Sequence, residues 1–187
     1  MPRPARYSVD DLLDAAAVLL AAEGPAAVAM AGVARAVGAP SGSVYHRFPT
    51  RSALCGALWL RTEERFQAGF VAALRSEEDD VERCVGAARY VVRWCRAHPI
   101  DAQVLLLGPG ALDPDGWPES VLERRAELQR TVTGAMAGVP VDPDRLRAAV
   151  VDVPVGVVRR YLVARQTIPD SVDAIVEDCA RALVAVR

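Results

Sequence analysis

The sequence predicts an all-α protein, with a small front bundle of three helices, a larger helical remainder and about nine helices in total. Three observations carry that prediction. Apolar residues recur at steps of three and four wherever a period is visible, and no segment alternates as a half-buried strand would. Alanine is abundant while aromatics make up 5% of the chain, which suits closely packed helices better than stacked sheets. The strongest breakers, such as Gly24-Pro25, Pro49 and Pro99, fall between the periodic runs.

Taken in order, the first helix begins after Ser8, an N-cap residue followed by Asp10 and Asp11 where acids suit the positive helix end. Its apolar stripe is Leu12, Leu13, Ala16, Leu19 and Leu20, and Gly24-Pro25 ends it. The second helix runs from about Met30 to Val37, with Gly38 as the turn residue where φ becomes positive. The third spans about Ser41 to Phe48 and stops at Pro49. Thr50 caps a long fourth helix to about Leu74, with Leu54, Leu58, Phe66, Phe70 and Leu74 as its stripe. This places a front domain at 1–50 and a rear domain at 51–187, connected by the helix at about 50–75.

The acidic run Glu77-Glu78-Asp79-Asp80 marks a linker before a fifth helix, about Val81 to His98. A helix through Leu107 follows Pro99, and the breaker-rich stretch from Gly108 to Pro118 is a loop. Helices at about 119–136, 143–166 and 170–186 complete the chain. Pro154, inside the apolar run 150–158, either kinks its helix or breaks it in two.

Composition excludes several classes. At 187 residues, 52% of them apolar, the chain can bury a substantial core. No run of about 18 apolar residues suggests a membrane span, and the basic start lacks the apolar core of a signal peptide, so a cytoplasmic location is expected. Cys55, Cys84, Cys95 and Cys179 show no metal-ligand spacing, and their apolar surroundings suit reduced, packed thiols. Cys84 and Cys95 share a helix face but stand about 16 Å apart along it, too far for a disulfide. No metal or cofactor is expected. His46 and His98 lie in different domains, and neither a nucleophile elbow, a phosphate-binding glycine loop nor a paired carboxylate appears, so no catalytic residue is assigned.

The informative stretch is 33–48, two short helices about a glycine turn, the second bearing Ser41, Ser43, Tyr45, His46 and Arg47. The chain carries net charge −2, yet Gly24 to Thr62 contains no Asp or Glu and holds Arg35, Arg47, Arg51 and Arg61. A short helix with small hydroxyls, a phenol and cations suits a DNA major groove. Double-stranded DNA is the partner this pattern implies. Only Arg47 and Arg35 could grip a guanine with two bonds, so selection would lean partly on DNA shape. Arg3 and Arg6 form a candidate groove-contacting arm.

Between Leu12 and Leu60 the pattern Ala15-Ala16, Leu19, Glu23-Gly24, Val33-Ala34, Gly38, then Gly42-Ser43-Val44-Tyr45-His46-Arg47-Phe48-Pro49-Thr50-Arg51 and Leu54 resembles the TetR family of bacterial transcriptional regulators. The resemblance implies an all-α homodimer whose front helices bind DNA and whose rear domain holds a small-molecule effector. It makes Ser41, Ser43, Tyr45 and His46 exposed recognition positions, Tyr45 the phosphate-contacting phenol, and Arg51 a phosphate ligand at the start of the fourth helix. Two positions depart from the family. Val28 stands where a Thr often caps the second helix and touches phosphate. Pro40 stands where Ser or Thr often caps the third, a duty Ser41 could assume.

In the rear, Val81, Cys84, Val85, Ala88, Val92 and Cys95 form a stripe, with Arg89, Arg93 and Arg96 on the wet side. Tyr90, Trp94 and His98 follow at steps of four and, with Gln103, Trp117 and Tyr161, are the candidate effector contacts. Leu146, Val150, Val157, Tyr161 and Leu162, with Val172, Ile175, Val176, Cys179, Leu183 and Val186, form faces that either pair two copies through helices 143–166 and 170–186 or close the monomer core. The resulting expectation is a repressor released from a palindromic operator by a small molecule. The alternatives are a helical ligand-binding or interaction protein whose front domain has lost DNA, supported by Val28, and a thiol sensor acting through Cys84 or Cys95.

Overall fold

The computed structural model describes residues 7–76 and 79–185, so Arg3, Arg6, Glu77, Glu78 and Val186 lie outside the described residues. The helices are α1 (Val9–Glu23), α2 (Met30–Val37), α3 (Ser41–Arg47), α4 (Arg51–Ala73), α5 (Asp80–Ala97), α6 (Pro99–Leu107), α7 (Glu119–Ala137), α8 (Pro143–Arg147), α9 (Val153–Val163) and α10 (Ser171–Val184). A π-helical turn, Ala148–Asp152, joins α8 to α9 in one continuous run over 143–163. Counted that way there are nine helices and, among the described residues, no strand. No helix is long and apolar enough to cross a membrane. The chain divides into two compact units, 1–62 with 104–124, and 63–103 with 125–187.

In the first unit α1 starts on a reciprocal cap. Ser8 Oγ accepts from the Asp11 N–H at 3.1 Å, and the Asp11 carboxylate accepts from the Ser8 N–H at 2.8 Å. The Ser8 N–H first and the Ser8 side chain second hold the Asp11 carboxyl below the usual carboxylate range. The core gathers Leu12, Leu13, Ala16 and Leu20 of α1, Val33 of α2, Val44 of α3, and Leu54 and Leu58 of α4. The segment 108–118 is not a bare loop. Two short 3-10 turns, Pro109–Leu112 and Pro114–Gly116, deliver Leu112 and Trp117 into this same core. Trp117 donates its indole N–H to the Leu112 carbonyl at 2.9 Å and lies 6.3 Å from the Trp59 ring. A β-carbon on Gly56 would stand 3.0 Å from the Trp117 ring, so any larger residue would make the indole shift by a few tenths of an ångström.

In the second unit α10 packs along α5, which also meets α9 and the π turn. Cys84, Val85, Ala88, Val92 and Cys95 are buried as the stripe predicts, but Arg89 and Arg96 are not simply solvated. Arg89 pairs with Glu177 at 3.3 Å, Arg93 with Asp173 at 3.1 Å, and Arg96 with Asp173 and with the Ile168 and Pro169 carbonyls. Leu146, Val150, Leu162, Val172 and Val176, expected on a face shared by two readings, are buried within the monomer. Pro154 is the second residue after the π turn. A proline ring clashes with the carbonyl four residues back, here on Val150, and a widened turn gives it room without ending the helix.

Candidate nucleic-acid interface

The turn between α2 and α3 closes by a Schellman motif. Gly38, at φ 69°, donates to the Arg35 carbonyl at 3.1 Å, while Ala39 donates to the Ala34 carbonyl at 2.8 Å. The Tyr7 hydroxyl donates to the Gly38 carbonyl at 2.7 Å and ties the start of the described chain to this turn. Pro40, not Ser41, occupies the cap position of α3, and no side chain caps it. The expected capping duty of Ser41 is thus corrected. Ser41 is the first helical residue and is exposed.

Val44 and Phe48, one turn apart, sink into the core and fix the rotation of α3. Ser41, Gly42, Tyr45 and His46 consequently face outward, while Ser43 and Arg47 are half-buried. Tyr45 is 54% exposed, a large aromatic without a place in the core. Arg35 on α2 is also exposed.

The other cations have different tasks from those the spacing implied. Arg47 donates to the Ser43 carbonyl at 3.2 Å and to the Tyr7 carbonyl at 2.7 Å. Arg51 donates to the Val28 carbonyl at 2.9 Å and to the Pro25 carbonyl at 2.6 Å. Two of its five N–H donors thus fix the turn before α2 to α4, and the expected phosphate contact would fall to the donors that remain. Val28 itself is fully buried, and the residue at the cap of α2, Ala29, offers no side-chain bond. Arg61 meets Asp10 at 3.2 Å and Asp14 at 2.8 Å. The window without acids in sequence therefore acquires two in space, both from α1.

The candidate effector contacts do not form one site. Phe66 brings Tyr90 and Trp94 together, with ring centroids 5.7 Å and 5.1 Å away, and His98 stacks on Trp94 at 5.1 Å. The Tyr90 hydroxyl donates to the Phe66 carbonyl at 2.9 Å, and burial first, with the Cys95 thiol second, pushes its pKa up to about 12. A β-carbon on Gly69 would overlap the Tyr90 ring, so that close approach also depends on glycine. Trp117 is corrected to a core residue of the other unit. Tyr161 is held by Arg160, whose guanidinium lies 4.6 Å from the ring and donates to its hydroxyl at 2.6 Å. Gln103 is half-buried on α6.

The sequence reading missed Glu63 and Gln67. Both lie on α4, only 5% and 8% exposed, at positions where its apolar stripe should continue. Glu63 accepts from Gln67 Nε2 at 3.1 Å and Gln129 Nε2 at 2.6 Å, and faces Arg125 Nε at 3.4 Å. The signal was available: the stripe from Leu58 to Phe70 passes through Thr62, Glu63 and Gln67. Among the described residues no group of three or more His, Cys, Asp or Glu side chains could hold a metal ion. All four cysteines are free. Burial pushes Cys84 up to about 11, helped by Asp80, and Cys95 up to about 12, which suppresses the thiolate that an oxidant sensor needs.

Residues 12–58 match the family model described as bacterial regulatory proteins, tetR family. Among curated proteins none matches the sequence. Three solved structures share the fold. A TetR-family member from Streptomyces coelicolor A3, SCO1917, is 23% identical with TM-score 0.70, over 94% of this chain and 96% of that one. FadR from Bacillus subtilis, in complex with stearoyl-CoA, is 12% identical with TM-score 0.72, over 95% and 98%. The multidrug binding protein EbrR, complexed with malachite green, is 22% identical with TM-score 0.69, over 97% and 99%. Residues 12–58 of this chain thus resemble the front domain of the bacterial regulatory proteins of the tetR family, and the whole fold is the one these solved structures share.

Proposed function

We propose that this chain is a ligand-responsive repressor that binds a palindromic operator as a homodimer and is released by a small molecule. The observation that carries the reading is the rotation of α3, which buries Val44 and Phe48 and presents Ser41, Tyr45 and His46 outward. Ser41, Ser43, Tyr45, His46 and Arg35 are the proposed DNA contacts. Arg47 and Arg51 support them from behind, anchored on neutral carbonyls and so still adding positive field. Such a regulator performs no catalysis and works in the cytoplasm, where the DNA is.

One recognition helix covers too few base pairs for useful affinity, so two copies would place theirs about 34–36 Å apart in successive major grooves. The helices proposed to pair the copies are 143–166 and 170–186, where Val163 is 71% exposed and Ile175 is exposed beside a half-buried Cys179. Stearoyl-CoA on FadR and malachite green on EbrR support a small-molecule effector for the rear helices here. A hundredfold release needs about 2.7 kcal/mol of preference for the DNA-free state.

Titrating a labelled duplex with protein at two salt concentrations tests the reading, with sedimentation to count copies. Steep weakening with salt and two chains per duplex are expected, and Tyr45→Ala should lower affinity about tenfold. Association that ignores salt, or a single chain per duplex, would overturn it. The thiol-sensor alternative predicts an oxidant response lost on replacing Cys84 and Cys95 by serine, and the raised thiol pKa values oppose it.

A further inference from the structure

The polar cluster on α4 costs the fold more than an apolar stripe would. Taking a carboxylate out of water carries a penalty of several kcal/mol, recovered only when its partners are well placed. Glu63 has partners, but the Gln67 side-chain oxygen is buried and meets no donor among the described residues. An unpaired buried acceptor calls for an explanation.

The two sides of the cluster are unequal. Glu63 and Gln67 sit on the inward face of α4, one turn apart, beside Phe66 and Phe70. Arg125 and Gln129 come from α7, which over Glu119–Ala137 buries one residue, Ala135. The Arg125 side chain is already 31% exposed. Glu63 is 5% exposed on the inward face of α4, whereas Arg125 stands on a helix that buries little of itself and has solvent to turn toward. What stays is therefore negative and rich in acceptors. What exchanges is positive.

A ligand that fits the part that stays has a positive charge, at least two N–H donors for the Glu63 carboxylate and the Gln67 oxygen, and a flat body. Phe66, three residues from Glu63, belongs to an aromatic cluster with Phe70, Tyr90 and Trp94 and is half-buried, so part of its ring is left for that body. The geometry points to an effector site for aromatic organic cations of the amidinium or guanidinium type, seated on Glu63 and Gln67 in place of Arg125. Calling the ligand an effector rests on the regulator reading; the binding itself does not.

The test is calorimetric titration of the full chain, without DNA, with 4-phenylbenzamidinium and with biphenyl-4-carboxylate, its anion of similar shape. Saturable binding of the amidinium is expected, with the carboxylate at least tenfold weaker. Glu63→Gln should weaken the amidinium tenfold or more, and Arg125→Gln should strengthen it by a similar factor because the resident competitor is gone. A cluster serving only the fold would not give opposite signs. No saturable heat with the amidinium, tighter binding of the carboxylate, or the same affinity in both variants would overturn the site. If Glu63→Gln loses its helical circular dichroism, Arg125→Gln and Gln67→Leu decide, the latter expected to weaken the amidinium. The duplex titration is independent. Amidinium binding with no duplex binding rejects the regulator reading alone, and duplex binding with no amidinium binding rejects the site alone.

Discussion

Arginines do most of the long-range fastening in both units, but they are fastened to different things. In the front unit Arg47 and Arg51 end on backbone carbonyls, which accept their hydrogen bonds and leave their charge standing. In the rear unit Arg89, Arg93 and Arg181 end on Glu177, Asp173 and Glu82, which cancel it. Burial raises the pKa of the Cys55 thiol, the charge of Arg51 lowers it and Asp113 raises it. A surface meant for a polyanion gains rigidity without losing potential when its cations are held by neutral dipoles. Arg61 is the exception in the front unit, neutralised by Asp10 and Asp14, and Arg145, on the Leu183 carbonyl, is the exception in the rear.

The largest expected effect is on Arg51. Arg51→Ala takes a charged donor from two carbonyls, of which Pro25 keeps only the Val28 N–H, and should cost about 2–3 kcal/mol in urea unfolding. Because the acceptors are neutral, that loss should be the same at low and high salt. A loss that vanished with salt would break the contrast drawn above. Arg51→Lys should recover little, since one ammonium cannot reproduce the fork.

Asp173→Asn comes next, at about 1–2 kcal/mol, and it should shrink as salt rises. Burial works against ionisation of Asp173, but bonds from Arg96 and Arg93 outweigh it and hold the carboxyl below its ordinary range. A depressed folded pKa contributes stability above the unfolded value, lost as pH falls below about 4 through the folded one. Wild-type protein should therefore lose more stability than the variant on going from pH 6 to pH 3.

A smaller effect concerns Arg35, exposed on α2. Arg35→Ala should lower the slope of log affinity against log salt for duplex DNA by about one unit, with little change in folding. An unchanged slope would remove Arg35 from the interface. The smallest is chemical. Iodoacetamide at pH 8 should label half-buried Cys179 well before Cys84 and Cys95, whose thiols stay protonated there. Early labelling of Cys95 would contradict its burial.

Local chemistry made the front helices readable. Ser8, Gly38 and Thr50 punctuate the chain as their side chains and backbone preferences require, Thr50 accepting from the Ala53 N–H at 3.0 Å. The division of α3 into inward Val44 and Phe48 and outward Tyr45 and His46 follows from helical period alone. What could not be read was where long side chains end. Arg61 finds its acids 51 and 47 residues upstream, and Arg51 finds carbonyls 23 and 26 residues upstream. Nothing in local spacing encodes such distances. Trp117 was misplaced for the same reason, since only the folded chain brings it to Gly56 and Trp59.

The π turn at Ala148–Asp152 sets the phase of everything after it. An α-helix advances about 100° per residue, so the one residue a π turn accommodates decides which sides of α9 look inward. Were that extra residue deleted, Val158 and Leu162 would swing out of the interior and their polar neighbours would swing in. The widened coil is thus a timing element: it keeps two successive stretches of one rod addressed to the same core, and Pro154 makes it hard to iron out.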